Sequence, residues 1–87
     1  KLWIVDPLDG TTNFLHHVPQ FAVSIGYRND DKTELGVIHN PFNDQWYCAV
    51  AGQGAYCGSL RMRVSESTEL SDILICFGFF YDRDLAM

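Results

Sequence analysis

Phe21-Ala22-Val23-Ser24-Ile25-Gly26-Tyr27-Arg28 is the most regular stretch of the chain. Phe21, Val23, Ile25 and Tyr27 alternate with Ala22, Ser24, Gly26 and Arg28, the period of two that defines a strand. The second set is mostly small, which predicts close packing against that face. Downstream, Asn29-Asp30-Asp31-Lys32 reads as a polar turn and residues 33–39 as another strand. Asn40-Pro41 and Asn43-Asp44 punctuate, and residues 45–50 form a third strand carrying Trp46, Tyr47 and Val50. Together these predict an antiparallel meander. Gly52-Gln53-Gly54 is a tight connection. Ala55-Tyr56-Cys57 and Met62-Arg63-Val64 are short extended pieces joined through Gly58-Ser59. Residues 65–71 have room for one helical turn, and the apolar run 73–80 reads as a buried strand. Upstream, residues 2–6 read as a buried strand ending in a carboxylate, followed by a turn at Pro7 and Asp9-Gly10. Thr11, Thr12 and Asn13 are N-cap types, so a short helix is expected through His17, ended by Pro19. The expected class is α+β, dominated by antiparallel sheet, with no internal domain boundary.

Composition narrows the function. The 87 residues carry six basic and eleven acidic side chains, a net charge of −5, which argues against a nucleic-acid module. A hydrophobic fraction of 47% argues against disorder. No run approaches the ~18 apolar residues of a membrane helix, and the first residues do not read as a signal peptide. Cys48, Cys57 and Cys76 are odd in number and widely spaced, which predicts buried, reduced thiols and a cytoplasmic protein rather than disulfides or zinc. The chain opens inside an apolar run and closes on Leu85-Ala86-Met87, so we expect a piece of a longer protein.

The chemistry is concentrated in Trp3-Ile4-Val5-Asp6-Pro7-Leu8-Asp9-Gly10-Thr11-Thr12-Asn13-Phe14. A strand fixes Asp6, and Asp9 follows on a turn, so both carboxylates can enter one small volume. Two close carboxylates repel unless a proton or cation lies between them. Hard oxygen donors select Mg²⁺, Mn²⁺ or Ca²⁺, and the Leu8 carbonyl is a possible third donor. Gly10 lets backbone approach a ligand. Thr11 and Thr12 then present hydroxyls and N–H groups where a phosphate is favoured. Asp-Pro and Asp-Gly alone are turn dipeptides. Chance assembly of D-P-x-D-G-T is on the order of 10⁻⁷ per position at ~5% usage per residue type. The run therefore points to metal-dependent phosphoryl transfer.

D-P-L-D-G-T-T-N-F resembles the first signature of the inositol monophosphatase family, Mg²⁺-dependent and lithium-sensitive phosphomonoesterases. The resemblance continues through residues 21–26, 52–56 and 63–65. It departs at Cys57-Gly58-Ser59, Cys76-Phe77 and Phe80, none of which touches the motif. It implies an inositol-monophosphatase-like layered α/β sandwich, of which residues 1–87 would be the central β-rich part of the N-terminal domain. It implies Asp6, Asp9 and the Leu8 carbonyl as metal ligands, with Asp6 bridging two metals. Gly10, Thr11 and Thr12 would bind the substrate phosphate, with Asp9 also facing substrate, and the Thr11 hydroxyl would orient the attacking water. Asp6, Asp9 and Thr11 are thus the catalytic candidates. A glutamate from a preceding segment and an aspartate from a following one would complete the site; neither lies within these residues. Thr-Thr-Asn-Phe ranks inositol monophosphate first among substrates. Fructose-1,6-bisphosphatase or another sugar or nucleotide phosphatase is the alternative, and a non-catalytic interaction module is the rival class. The resemblance also implies a homodimer, while the isolated fragment is expected to be inactive.

Other candidates read more plainly. His16 and His17 are adjacent, diverge on a helix, and suit a surface or loop. His39 reads as a strand end facing solvent, Arg61 and Arg63 as a solvated strand face. Gly52-x-Gly54 reads as a turn rather than a nucleotide loop. Trp46, Tyr47, Phe77, Phe79, Phe80 and Tyr81 read as core or dimer surface.

Overall fold

The computed structural model describes residues 1–78. Six strands form one antiparallel sheet in chain order: β1 (Leu2–Asp9), β2 (Ala22–Asn29), β3 (Lys32–Asn40), β4 (Gln45–Val50), β5 (Gly54–Cys57) and β6 (Leu60–Met62). A short helix, α1 (Thr11–Leu15), lies between β1 and β2, and a 3₁₀ turn spans Leu70–Asp72. This is the predicted meander.

The register sorts the side chains into two unlike faces. Ile4, Gly26, Gly36, Ala49, Ala55 and Met62 pair in succession across all six strands. The small face foreseen in β2 is therefore a trough of glycine and alanine crossing the middle of the sheet. The opposite face carries bulk. Trp3 pairs with Tyr27, their rings 4.8 Å apart, and Ile25, Val37 and Cys48 follow in register.

Several expectations are corrected. No described residue is buried, because neither face is covered by another element among the described residues. The strand at residues 2–6 is accordingly exposed, as the sheet's edge strand, and continues to Asp9. Residues 73–78 form no strand. An apolar run becomes a strand only when a neighbour accepts its backbone groups, and no described strand pairs with it; residues 79 and 80 of that expected strand lie outside the described residues. The helix stops at Leu15, and His17 takes a left-handed φ of 61° in the following turn. The thiols are free, but Cys48 and Cys76 are exposed and Cys57 half-buried. Trp46 and Phe77 are exposed rather than core, whereas Phe79, Phe80 and Tyr81 lie outside the described residues.

One surface reading also changes, and another gains detail. His39 faces solvent only in part: its ring stacks on Trp46 at 3.9 Å, and its Nε2 lies 3.0 Å from Asp44 Oδ1. Arg61 and Arg63 are exposed, as expected, and Arg61 lies over the Tyr56 ring at 5.6 Å, against the bare Gly54.

Candidate active site

The two candidate carboxylates are three residues apart, an odd spacing that in a regular strand would put them on opposite faces. The structure resolves this with a bulge. Asp6 pairs with Ser24 and Asp9 with Ala22, so three steps along β1 oppose two along β2. The extra residue makes the effective spacing even, and both aspartates project to the small-residue face. Pro7, which has no N–H to donate, falls inside the bulge of an edge strand, where its lack of a donor costs nothing. The displaced Leu8 N–H donates to Asp6 Oδ1 at 3.3 Å. The bulge is thus held by one of the side chains it aims.

The chain then turns sharply. Gly10 takes φ 83° and ψ 40° and occupies the helix N-cap position; no side chain caps the helix, contrary to the expectation from Thr11, Thr12 and Asn13. Thr11 Oγ1 donates back to the Leu8 carbonyl at 3.2 Å. The Phe14 N–H reaches the Gly10 carbonyl at 2.9 Å and closes the first turn. The N–H groups at the start of α1 have no acceptor within the helix.

All six predicted site residues, Asp6, Leu8, Asp9, Gly10, Thr11 and Thr12, therefore sit on one continuous bulge-and-turn. Asp6, Asp9, Thr11 and Thr12 are exposed, and Leu8 and Gly10 half-exposed. Asp9 and Gly10 line a concavity of about 780 Å³ that also takes in Asn13, Asn40 and Tyr47. Asp6 lines a neighbouring one of about 380 Å³, and both share Ile38 and Tyr47.

The donor chemistry suits a hard cation: two carboxylates and a carbonyl, with no sulfur or imidazole. Among the described residues, no three His, Cys, Asp or Glu side chains gather into a metal-binding group. The described residues therefore offer only part of a coordination shell. The sequence reading missed Asn13, whose Nδ2 donates to the Gln20 carbonyl at 2.8 Å. Its residue type had suggested a cap, and only the loop closure reveals the other use.

The geometry is that of a known group of proteins. The model of the inositol monophosphatase family matches residues 1–87, and the chain belongs to that family. Among relatives, it is 42% identical over 85 residues to Nus factor SuhB of Pasteurella multocida, covering 98% of this chain and 32% of that one. It is 45% identical over 73 residues to inositol monophosphatase 2 of Rattus norvegicus, covering 84% and 25%. The solved extragenic suppressor protein suhB of Bartonella henselae superposes with a TM-score of 0.78 at 53% identity, over 80% of this chain and 29% of that one. The chain thus spans about a third or less of the length of these relatives.

Proposed function

We propose that the protein carrying this chain hydrolyses a phosphate monoester, inositol monophosphate first among them, in a Mg²⁺-dependent reaction. The observation that carries this reading is the bulge that brings Asp6 and Asp9 to one face beside the Thr11–Leu8 hydrogen bond. The Thr-Thr-Asn-Phe text after Gly10 and the relationship to inositol monophosphatase 2 support the inositol ester over a fructose bisphosphate.

Asp6, Asp9 and the Leu8 carbonyl would hold the cation, completed by carboxylates from other segments. When bound, it supplies positive charge to the phosphoryl oxygens and lowers the pKa of water. The protein's own groups do the rest. The N–H groups of Gly10 and Thr11, with Thr12 beside them, would receive the phosphate. The Thr11 hydroxyl spends its hydrogen on the Leu8 carbonyl, which leaves its oxygen lone pairs to accept from a water and orient it. That water's oxygen bonds to phosphorus as the ester P–O bond breaks; the water releases a proton to solvent and the leaving alkoxide takes one from solvent, so the products are the alcohol and inorganic phosphate. The family reading supports a homodimer, which light scattering on the full-length protein tests, and the free thiols support a reducing, cytoplasmic setting, which cell fractionation tests.

A second reading, favoured by the relative named Nus factor SuhB, is an interaction role on the same fold. Asp9→Asn in the full-length protein separates the two. Loss of Mg²⁺-dependent phosphate release from inositol monophosphate supports the enzyme. Near-parental release in the variant, or none in the parent, sinks it.

A further inference from the structure

One carbonyl oxygen closes the loop that follows the motif. The Gln20 carbonyl accepts from Asn13 Nδ2 at 2.8 Å. The same oxygen approaches Gly10 so closely that a Cβ there would lie 2.6 Å away. The Gln20 carbonyl thus meets both ends of the turn, bonded by the Asn13 amide and seated against the bare face of Gly10. Backbone bonds extend the closure: the Val18 N–H donates to the Asn13 carbonyl at 2.8 Å and the Gln20 N–H to the Val18 carbonyl at 2.7 Å. Phe14 meets Phe21 edge-on at 5.1 Å. Among the described residues, Asn13 makes the one side-chain hydrogen bond across this loop.

These fastenings decide where the motif's backbone sits. A helix of five residues is far too short to be stable alone, so its placement comes from the contacts that hold it. The Gln20 carbonyl abuts Gly10 on the side where a Cβ would stand, and Asn13 holds that carbonyl in place. We propose that Asn13 is a positioning residue, which through the Gln20 carbonyl fixes where Gly10 and Thr11 present their N–H groups to the substrate phosphate. This rests on the phosphatase reading above. Asn13 acts through Gly10 and needs no contact with the reacting atoms. Loosening the loop weakens contacts made alike by bound ester and transition state, so binding suffers more than turnover.

The test uses the full-length protein with Asn13→Ala and Asn13→Asp, assayed on inositol monophosphate with saturating Mg²⁺ and with inorganic phosphate as competing ligand. Asp keeps the shape of Asn but sets an acceptor against the Gln20 carbonyl in place of a donor. In both variants KM and the phosphate inhibition constant rise about tenfold, the worth of one well-placed hydrogen bond. The turnover number stays within about threefold of the parent's. Amide exchange over residues 10–20 quickens while that of β2–β4 holds. KM and phosphate inhibition within about twofold of the parent's overturn the proposal, even if the melting temperature falls, because the role is then structural only. A fall in kcat with KM unchanged overturns it as well. A parent that neither turns over the ester nor binds phosphate defeats the phosphatase reading and this role with it, so the parent assay tells the two failures apart.

Discussion

Thr11 Oγ1 lies 3.2 Å from the Leu8 carbonyl oxygen and donates to it across the turn. A carbonyl has two lone pairs, so Leu8 can hold this bond and still face a cation. The hydroxyl's orientation is therefore fixed before any ligand arrives. Thr11→Ser keeps the bond and should keep most activity in the full-length protein. Thr11→Val, which keeps the shape without the oxygen, should lower kcat by about 10²–10³-fold, the usual effect of deleting one preorganised polar group at a reacting centre. Steady-state kinetics on inositol monophosphate checks both.

Gly10 meets two demands that no other residue meets together. Its φ of 83° lies in the left-handed region, and its missing Cβ leaves room for the Gln20 carbonyl. Gly10→Ala should cost about 1–2 kcal/mol from the backbone conformation alone, and more from the displaced carbonyl, which is main chain and cannot swing aside. Denaturant unfolding of the full-length variant measures the loss. On the proposed function, in which the Gly10 N–H receives the phosphate, phosphate binding should weaken in parallel.

These residues also show where sequence was enough. Alternation in Phe21–Arg28 located β2 and its small face, because a half-packed strand writes its period into side-chain size. The motif suggested its candidate donors because hard oxygens beside a glycine turn have few other uses at that spacing, and the structure brings those residues onto one bulge-and-turn. The bulge was not legible. Asp-Pro and Asp-Gly read as turn dipeptides, whereas the strand runs through them to Asp9, and only pairing with Ser24 and Ala22 shows that the two aspartates share a face. The run 73–78 failed in the opposite sense: its apolar content says what it would do beside a partner strand, not that one is present. His39 was misplaced because its surroundings come from Asp44 and Trp46 across a hairpin rather than from its neighbour Asn40.

That hairpin gives a pH prediction. Asp44 Oδ1 accepts from His39 Nε2 at 3.0 Å and from Trp46 Nε1 at 3.2 Å. The hydrogen bond from His39, and after it that from Trp46, hold the Asp44 carboxyl below its ordinary value. A carboxylate whose pKa is lowered by folding adds stability above its unfolded pKa and loses it as pH falls through the folded one. The contribution is thus complete at neutral pH and fades below about pH 3.9, the ordinary value for aspartate. Asp44→Asn should lower the unfolding midpoint of the full-length protein at pH 7. The gap from the parent should close as the pH is taken below that range. A gap that stays constant down to acid pH would contradict the assignment.

The sheet itself yields the last prediction. Six strands are paired, yet no described residue is buried, and Trp3 remains 60% exposed and Ile4 51%. Ordering each residue costs about 1–2 kcal/mol in backbone entropy. Burial of apolar area is the main term that offsets this, at about 25 cal/mol per Å², and a single open layer removes little area from water. Residues 1–87 prepared alone should therefore melt without a cooperative transition, bind a hydrophobic dye, and show no Mg²⁺-dependent turnover. Full-length relatives are about three times longer, which leaves ample chain to cover both faces. The row Gly26-Gly36-Ala49-Ala55 is where such a cover can approach the backbone most closely. Gly36→Val should accordingly be tolerated in the isolated chain, where nothing lies within 4 Å of a Cβ at that position. In the full-length protein the same change should be destabilising by about 1–3 kcal/mol, the range for overpacking a filled site. Equal effects in both settings would mean that the trough stays open. A sharp calorimetric transition from the isolated 87 residues would mean that the sheet closes on itself.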